Sequence, residues 1–143
     1  MATMTDSASD AERATGQTWN AEYDVVVVGS GAAGMTAALV ATDLDLRTAI
    51  IESCALIGGT TAVSGGAVWV PANHHMAELA YPDSIPEALQ YLEQTVGEEF
   101  DPALSQTYLE TGPRWIRYLE SSSQLAFRAG TLPDYYSNRP GGK

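Results

Sequence analysis

Gly29, Gly31 and Gly34 stand at G-x-G-x-x-G spacing directly after four consecutive valines, Val25 to Val28, a combination suited to holding a dinucleotide. Gly29 permits a tight turn, Gly31 removes the side chain that would block a pyrophosphate, and Gly34 lets the following helix pack closely on the strand. The intervening Ser30, Ala32 and Ala33 are small, so the N–H groups at the positive end of the helix dipole can face the phosphates. About 20 residues beyond the turn stands Glu52, where a carboxylate is expected to accept from ribose hydroxyls. An acid at that place favours an unphosphorylated ribose. The spacing alone is weak evidence in a chain with 13 glycines, and a glycine-rich turn without a ligand is the bland alternative.

The elements that must position these residues decide between the two. Val25 to Val28 has no polar break, which predicts a parallel strand buried on both faces. A small-residue helix is expected from about Ala32 to Ala41, then a second apolar strand, Thr48 to Ile51, ending at Glu52. Strand, turn, helix and strand make an α/β, Rossmann-like unit. NAD and FAD sites share this opening. The next segment holds Ser53, the pair Gly58 and Gly59, Thr60, Thr61, Ser64 and the pair Gly65 and Gly66. It reads as a loop whose backbone can approach a large planar cofactor and its phosphates. Val68-Trp69-Val70 is too apolar for a flexible surface loop.

The order strand, G-x-G-x-x-G, Glu52, then Gly-Gly-Thr-Thr-Ala-x-Ser-Gly-Gly-x-x-Trp-x-Pro resembles the FAD-binding start of the fumarate reductase and succinate dehydrogenase flavoprotein superfamily. Within it the sequence is most similar to the 3-ketosteroid Δ1-dehydrogenases, through Asn73-His74-His75-Met76 and Leu132-Pro133-Asp134-Tyr135-Tyr136 to Pro140-Gly141-Gly142. That resemblance implies FAD as the cofactor and a 3-ketosteroid as the substrate. It also implies trans removal of two hydrogens, a tyrosine taking a proton beside the 3-keto group while flavin N5 accepts hydride from the neighbouring carbon. Tyr135 matches a pocket tyrosine thought to assist the catalytic base, with Tyr136 as the fallback if the register slips by one. Without the resemblance, Pro-Asp-Tyr-Tyr reads as a turn with packed aromatics. Covalent members of the superfamily carry a histidine in the region matching Gly59 to Gly66. None occurs there, so a non-covalent flavin is expected.

At 143 residues the chain could be one ordinary domain. Family members are several times longer, and the expected organisation is therefore an N-terminal part of an FAD-binding domain over residues 21–143, with 125–143 leading towards a substrate domain. The residues resembling the main base and the keto-oxygen donors belong further downstream in the family. Activity is expected only with a complementing C-terminal chain or subunit. Two other readings stay open: a fumarate-reductase-like enzyme, whose pocket would hold carboxylates with arginines and a histidine, and a non-catalytic truncated remnant.

The net charge of −11 argues against a nucleic-acid partner, which needs a clustered basic face. Five of the seven cations, Arg114, Arg117, Arg128, Arg139 and Lys143, fall late in the chain but are spread apart. The single cysteine, Cys54, excludes an internal disulfide and suits a reducing cytoplasm, where the protein is expected. Residues 1–20 read as a disordered leader without the apolar stretch of a secretory signal. No run approaches the ~18 apolar residues of a transmembrane helix.

Beyond Pro71 the texture turns helical. Ser84-Ile85-Pro86-Glu87 fits a capping box, with Ile85, Ala88, Leu89, Leu92 and Val96 as one stripe and Gly97 as the stop. Asp101-Pro102 is expected to start a second helix with Leu104 and Tyr108 inward, and Gly112-Pro113 to open a third carrying Trp115, Ile116 and Leu119. Gln124 to Arg128 alternates weakly, like a strand. His74 and His75 are adjacent and should point different ways on any regular element, which argues against a metal.

Overall fold

The computed structural model describes residues 21–79 and 83–143, so the expected leader lies outside the described residues. The chain divides into two compact units, one ending at Gly66 and the other beginning at Ala67.

The first unit is a single β-α-β crossover. Strand β1 (Val25–Val28) pairs in parallel with β2 (Thr48–Ile51), with Val25 opposite Thr48 and Val28 opposite Ile51. β-branched side chains suit the pleat, and a parallel pair requires a crossover, supplied by α1 (Ala32–Asp43). Asp24 ties the entry: its carboxylate accepts from Arg47 N at 2.8 Å, and its own N–H donates to Arg47 O at 2.9 Å. Helix α1 buries Ala38 and Ala41, and small residues there let helix and sheet approach closely.

Burial on both faces of β1 does not hold. Val25 and Val27 are half-buried on the side facing α1, whereas Val26 is 50% and Val28 83% exposed. The reason is the layer count: among the described residues the sheet has two strands and one covering helix. The glycine-rich loop also differs from expectation, because Gly59–Val63 forms a short helix, α2.

The second unit is helical. A 3₁₀ turn spans His74–Glu78, α3 spans Ile85–Val96, a second 3₁₀ turn covers Gly97–Glu99, and α4 spans Pro102–Ser122. The capping box forms: Ser84 Oγ accepts from Glu87 N and bonds Glu87 Oε2 at 2.7 Å, while Gly97 at φ +68° closes the helix. The buried face of α3 is centred on Ala88 and Tyr91, and Val96 is exposed, so the stripe is rotated from the one the apolar residues marked. Tyr91 turns inward because its ring meets Trp69, centroids 5.7 Å apart.

Two expected helices are one. Helix α4 runs through Gly112 and Pro113 without a break, burying Leu109, Gly112, Ile116 and Leu119 on one face. Gly112 serves packing: a Cβ there would lie 2.9 Å from Val70 Cγ1, and Val70 is itself buried. Pro113 forfeits its bond to the Leu109 carbonyl, and the buried residues on either side hold the helix together. Leu104 is 68% exposed rather than inward. Tyr108, 44% exposed, lays its ring parallel to Trp69 and donates its hydroxyl to the Trp69 carbonyl. Gln124 to Arg128 forms no strand; Phe127 N instead donates to Glu120 Oε1 at 3.1 Å.

Candidate functional site

The turn from β1 into α1 is where chemistry concentrates. Gly29 leaves the strand at φ +95°, open to glycine and strained for other residues, while its N–H extends the ladder to Ile51 O at 2.7 Å. A Cβ on residue 34 would overlap the Gly29 carbonyl oxygen and lie 3.0 Å from its carbon and 3.3 Å from Val27 Cγ1. The third glycine is therefore demanded by helix-on-strand packing. Gly31 differs. A Cβ there would meet nothing nearer than Thr61 Oγ1 at 3.9 Å. The protein's own packing does not require a glycine at 31, and its bare face is open space at a helix N-terminus.

Ser30 is the buried polar residue at the centre of this turn, 1% exposed. Its N–H and hydroxyl both donate to Glu52 Oε2, at 3.0 and 2.5 Å. Gly58 N donates to Ser30 Oγ at 2.8 Å. Glu52 Oε1 accepts from Cys54 N at 3.0 Å and from Ser53 Oγ at 3.2 Å. These donors hold the Glu52 carboxyl down from its ordinary 4.5 to about 2, the Ser30 hydroxyl contributing most, then the N–H groups of Cys54 and Ser30. The carboxylate is thus ionised at any ordinary pH, with all four of its lone-pair positions engaged.

Thr61, from α2, completes the turn by accepting from Ala32 N at 3.1 Å. Ala33 and Gly34, next in α1, carry first-turn N–H groups that an α-helix leaves without intrahelical acceptors. Ser64 Oγ donates to Thr61 O at 2.8 Å and accepts from Gly66 N at 3.1 Å. Gly59 approaches Gly31, a Cβ on it lying 3.4 Å from Gly31 Cα. The structure therefore gathers Gly29, Ser30, Gly31, Ala32, Ala33, Gly34, Glu52, Ser53, Gly59 and Thr61, while Thr60, Ser64, Gly65 and Gly66 follow on α2 and its exit. Gly58, the first of the Gly-Gly pair, belongs here as well, its N–H held by Ser30 Oγ. Its φ of +112° and a Cβ position 2.5 Å from Ala62 Cβ make it obligatory, and the Gly-Gly pair was the available signal.

Tyr135 lies in the second unit with its side chain wholly exposed. The segment bearing it is tied by Asp134, whose carboxylate accepts from Trp69 Nε1 at 2.8 Å and from Lys143 N at 3.0 Å. Tyr136 instead lies under the Arg139 guanidinium, 4.5 Å from its ring centre.

The histidines depart from expectation. Both converge on one carboxylate: His74 Nε2 lies 2.9 Å from Glu120 Oε2, and His75 Nε2 lies 2.7 Å from Glu120 Oε1. Their rings are 4.0 Å apart. Adjacent side chains diverge on an α-helix or strand, but Asn73 caps this tight 3₁₀ turn, accepting from His75 N at 2.9 Å, and the long Glu120 side chain spans the gap.

A family model described as FAD binding domain matches residues 24–143. The 3-oxosteroid 1-dehydrogenase of Mycolicibacterium smegmatis is 43% identical over 124 residues, covering 85% of this chain and 22% of that protein. The 4-oxocyclohexanecarboxylate 2-dehydrogenase of Sinomonas cyclohexanicum is 36% identical over 120 residues, covering 83% and 21%. The crystal structure of 3-ketosteroid Δ1-dehydrogenase from Sterolibacterium denitrificans, in complex with 1,4-androstadiene-3,17-dione, superposes with a TM-score of 0.74 at 40% identity, covering 85% of this chain and 21% of that one. The chain thus spans about a fifth of the length of the relatives it matches. Among the described residues no helix is long and apolar enough to cross a membrane.

Proposed function

Because the chain belongs to the FAD binding domain family, we propose that it forms the dinucleotide-holding part of a flavin-dependent oxidoreductase that dehydrogenates a ring ketone, with 3-ketosteroids as the preferred substrates. The open face of Gly31 at the start of α1 carries this reading, because a glycine that nothing in the protein requires leaves room for a pyrophosphate. The N–H groups of Ala33 and Gly34 point along the helix axis at that space. Glu52 is held ready for the adenosine ribose. The Ser53 hydroxyl makes the longest of the four bonds to its carboxylate, 3.2 Å, so a ribose hydroxyl takes that place at least cost.

The flavin, when bound, supplies the hydride acceptor. It is held without a covalent link, the segment Gly59 to Gly66 containing no histidine. The protein's part in the chemistry is to position. Tyr135 stands free to hydrogen-bond with a catalytic base supplied by a complementing C-terminal segment, and Asp134 holds its place in the chain through Trp69. The names of the relatives share an oxo group on a ring, and they favour two substrate classes: a steroid, and a smaller oxocyclohexane carboxylate.

The test begins with FAD titrated into the purified chain, followed by flavin fluorescence. Saturable binding, with flavin released into the supernatant on acid precipitation, is expected, and its absence overturns the reading. The chain is then combined with the downstream segment of a steroid-dehydrogenating relative and an artificial electron acceptor. Turnover of 4-androstene-3,17-dione is expected; turnover of fumarate with no ring ketone dehydrogenated would sink the proposal.

A further inference from the structure

The cluster of His74, His75 and Glu120 lies wholly in the second unit, and its geometry asks for an explanation of its own. Among the described residues it is the group of three His, Cys, Asp or Glu side chains whose ligand atoms, one from each residue, all lie within 4.8 Å of one another. All three residues are half-buried, which keeps bulk water partly away yet leaves a route in. We propose that His74, His75 and Glu120 bind a divalent transition metal of zinc-like chemistry.

The donor set matches that chemistry. Two imidazoles and one carboxylate suit zinc and its neighbours, whereas magnesium and calcium take oxygen-only cages. Three protein ligands with a fourth position left to water is a recurrent zinc arrangement, and the His₂Glu combination is one of its known forms. Zinc draws its ligands to about 2.0–2.2 Å. The two imidazole nitrogens already sit 2.9 and 2.7 Å from separate oxygens of one carboxylate, so small side-chain rotations suffice.

The surroundings are built to hold the ligands still. Asn73 Oδ1 accepts from His75 N at 2.9 Å and Asn73 Nδ2 donates to Val70 O at 2.6 Å, fixing the turn that carries both rings. Glu120 is anchored by Phe127 N, which donates at 3.1 Å to Oε1, the oxygen that also faces His75. Such outer contacts orient metal ligands in known sites. The other ring nitrogen of His74, Nδ1, is buried and has no hydrogen-bond partner. A carboxylate placed merely to staple the 3₁₀ turn to α4 would need one histidine, and here two, their rings tilted by 36°, meet on it.

The full chain, stripped with a chelator, is titrated with zinc chloride by calorimetry in parallel with His75→Gln and Glu120→Gln. One equivalent is expected to bind, and each substitution should weaken it by more than ~100-fold, beyond the loss typical of an outer contact. Helical circular dichroism of each variant reports whether it still folds. Cobalt(II) added to the wild-type chain reads the site without any variant: intense visible bands of a four-coordinate ion are expected. Absence of zinc binding, unchanged binding in both folded variants, or only the weak spectrum of six-coordinate cobalt overturns the proposal.

Discussion

Ser30 donates both its backbone N–H and its hydroxyl to the same oxygen of Glu52, 22 residues later. One residue inside the glycine turn thereby fixes the carboxylate at the end of the neighbouring strand. The same hydroxyl accepts from Gly58 N, so three segments of the first unit meet on one side chain that is 1% exposed.

Ser30→Ala should therefore act on more than one segment. It leaves the Gly58 N–H without its acceptor, and losing a partner of that kind costs about 1–3 kcal/mol. Urea unfolding of the chain is expected to show a loss in that range. FAD affinity should fall with it, because the Glu52 carboxylate loses one of the four donors that fix its orientation.

Acid should weaken the first unit through Glu52. Its carboxyl is depressed in the folded chain to about 2, against an ordinary 4.5. A depressed acid contributes stability that is complete above the unfolded value and lost as pH falls through the folded one. The contribution is thus present at neutral pH and disappears between 4.5 and about 2. Acid titrations comparing the wild-type chain with Glu52→Gln are expected to show a shallower decline for the variant across that interval.

Two glycines of the turn, Gly34 and Gly31, should separate on substitution. Gly34→Ala forces a Cβ into the Gly29 carbonyl, a backbone clash expected to cost ~3 kcal/mol or more in thermal or urea unfolding. Gly31→Ala meets nothing nearer than Thr61 Oγ1, at an ordinary contact distance of 3.9 Å. It should leave stability within ~0.5 kcal/mol while lowering FAD affinity, read by flavin fluorescence. Equal stability losses at both positions would contradict the assignment of Gly31 to the ligand.

In α4, Gly112 and Pro113 should respond in opposite directions. Gly112→Ala brings a methyl to 2.9 Å from Val70 Cγ1 and is expected to destabilise the second unit by about 1–3 kcal/mol through overpacking. Pro113→Ala restores the N–H that can donate to the Leu109 carbonyl, and should stabilise by ~1–3 kcal/mol. Chemical unfolding followed by circular dichroism reads both.

Much of the first unit was legible in the residues because its signals are local and redundant. A β-branched run, three spaced glycines, a small-residue helix and an acid after a second apolar run each point to the same crossover, and β2 falls at its expected limits, Thr48–Ile51. The capping box at Ser84 was legible for the same reason, since Ser84, Glu87 and Gly97 act within their own turns. The helix break at Gly112-Pro113 misled because both residues are local breakers. Whether they break depends on Val70, more than 40 residues earlier, which only a glycine lets in.

By itself the sequence determined the α/β crossover, the place of the glycine-rich turn and the family to which the chain belongs, because glycine geometry and hydrophobic runs constrain the backbone locally. Tertiary structure decided what neighbours in space impose. It showed that Glu52 is already clasped by Ser30, that Gly34 serves packing while Gly31 stands open, and that Pro113 lies within a continuous helix. It also brought His74 and His75 together on Glu120, 45 residues from His75. Side chains that far apart along the chain acquire a common site only when the packing of the elements between them is complete.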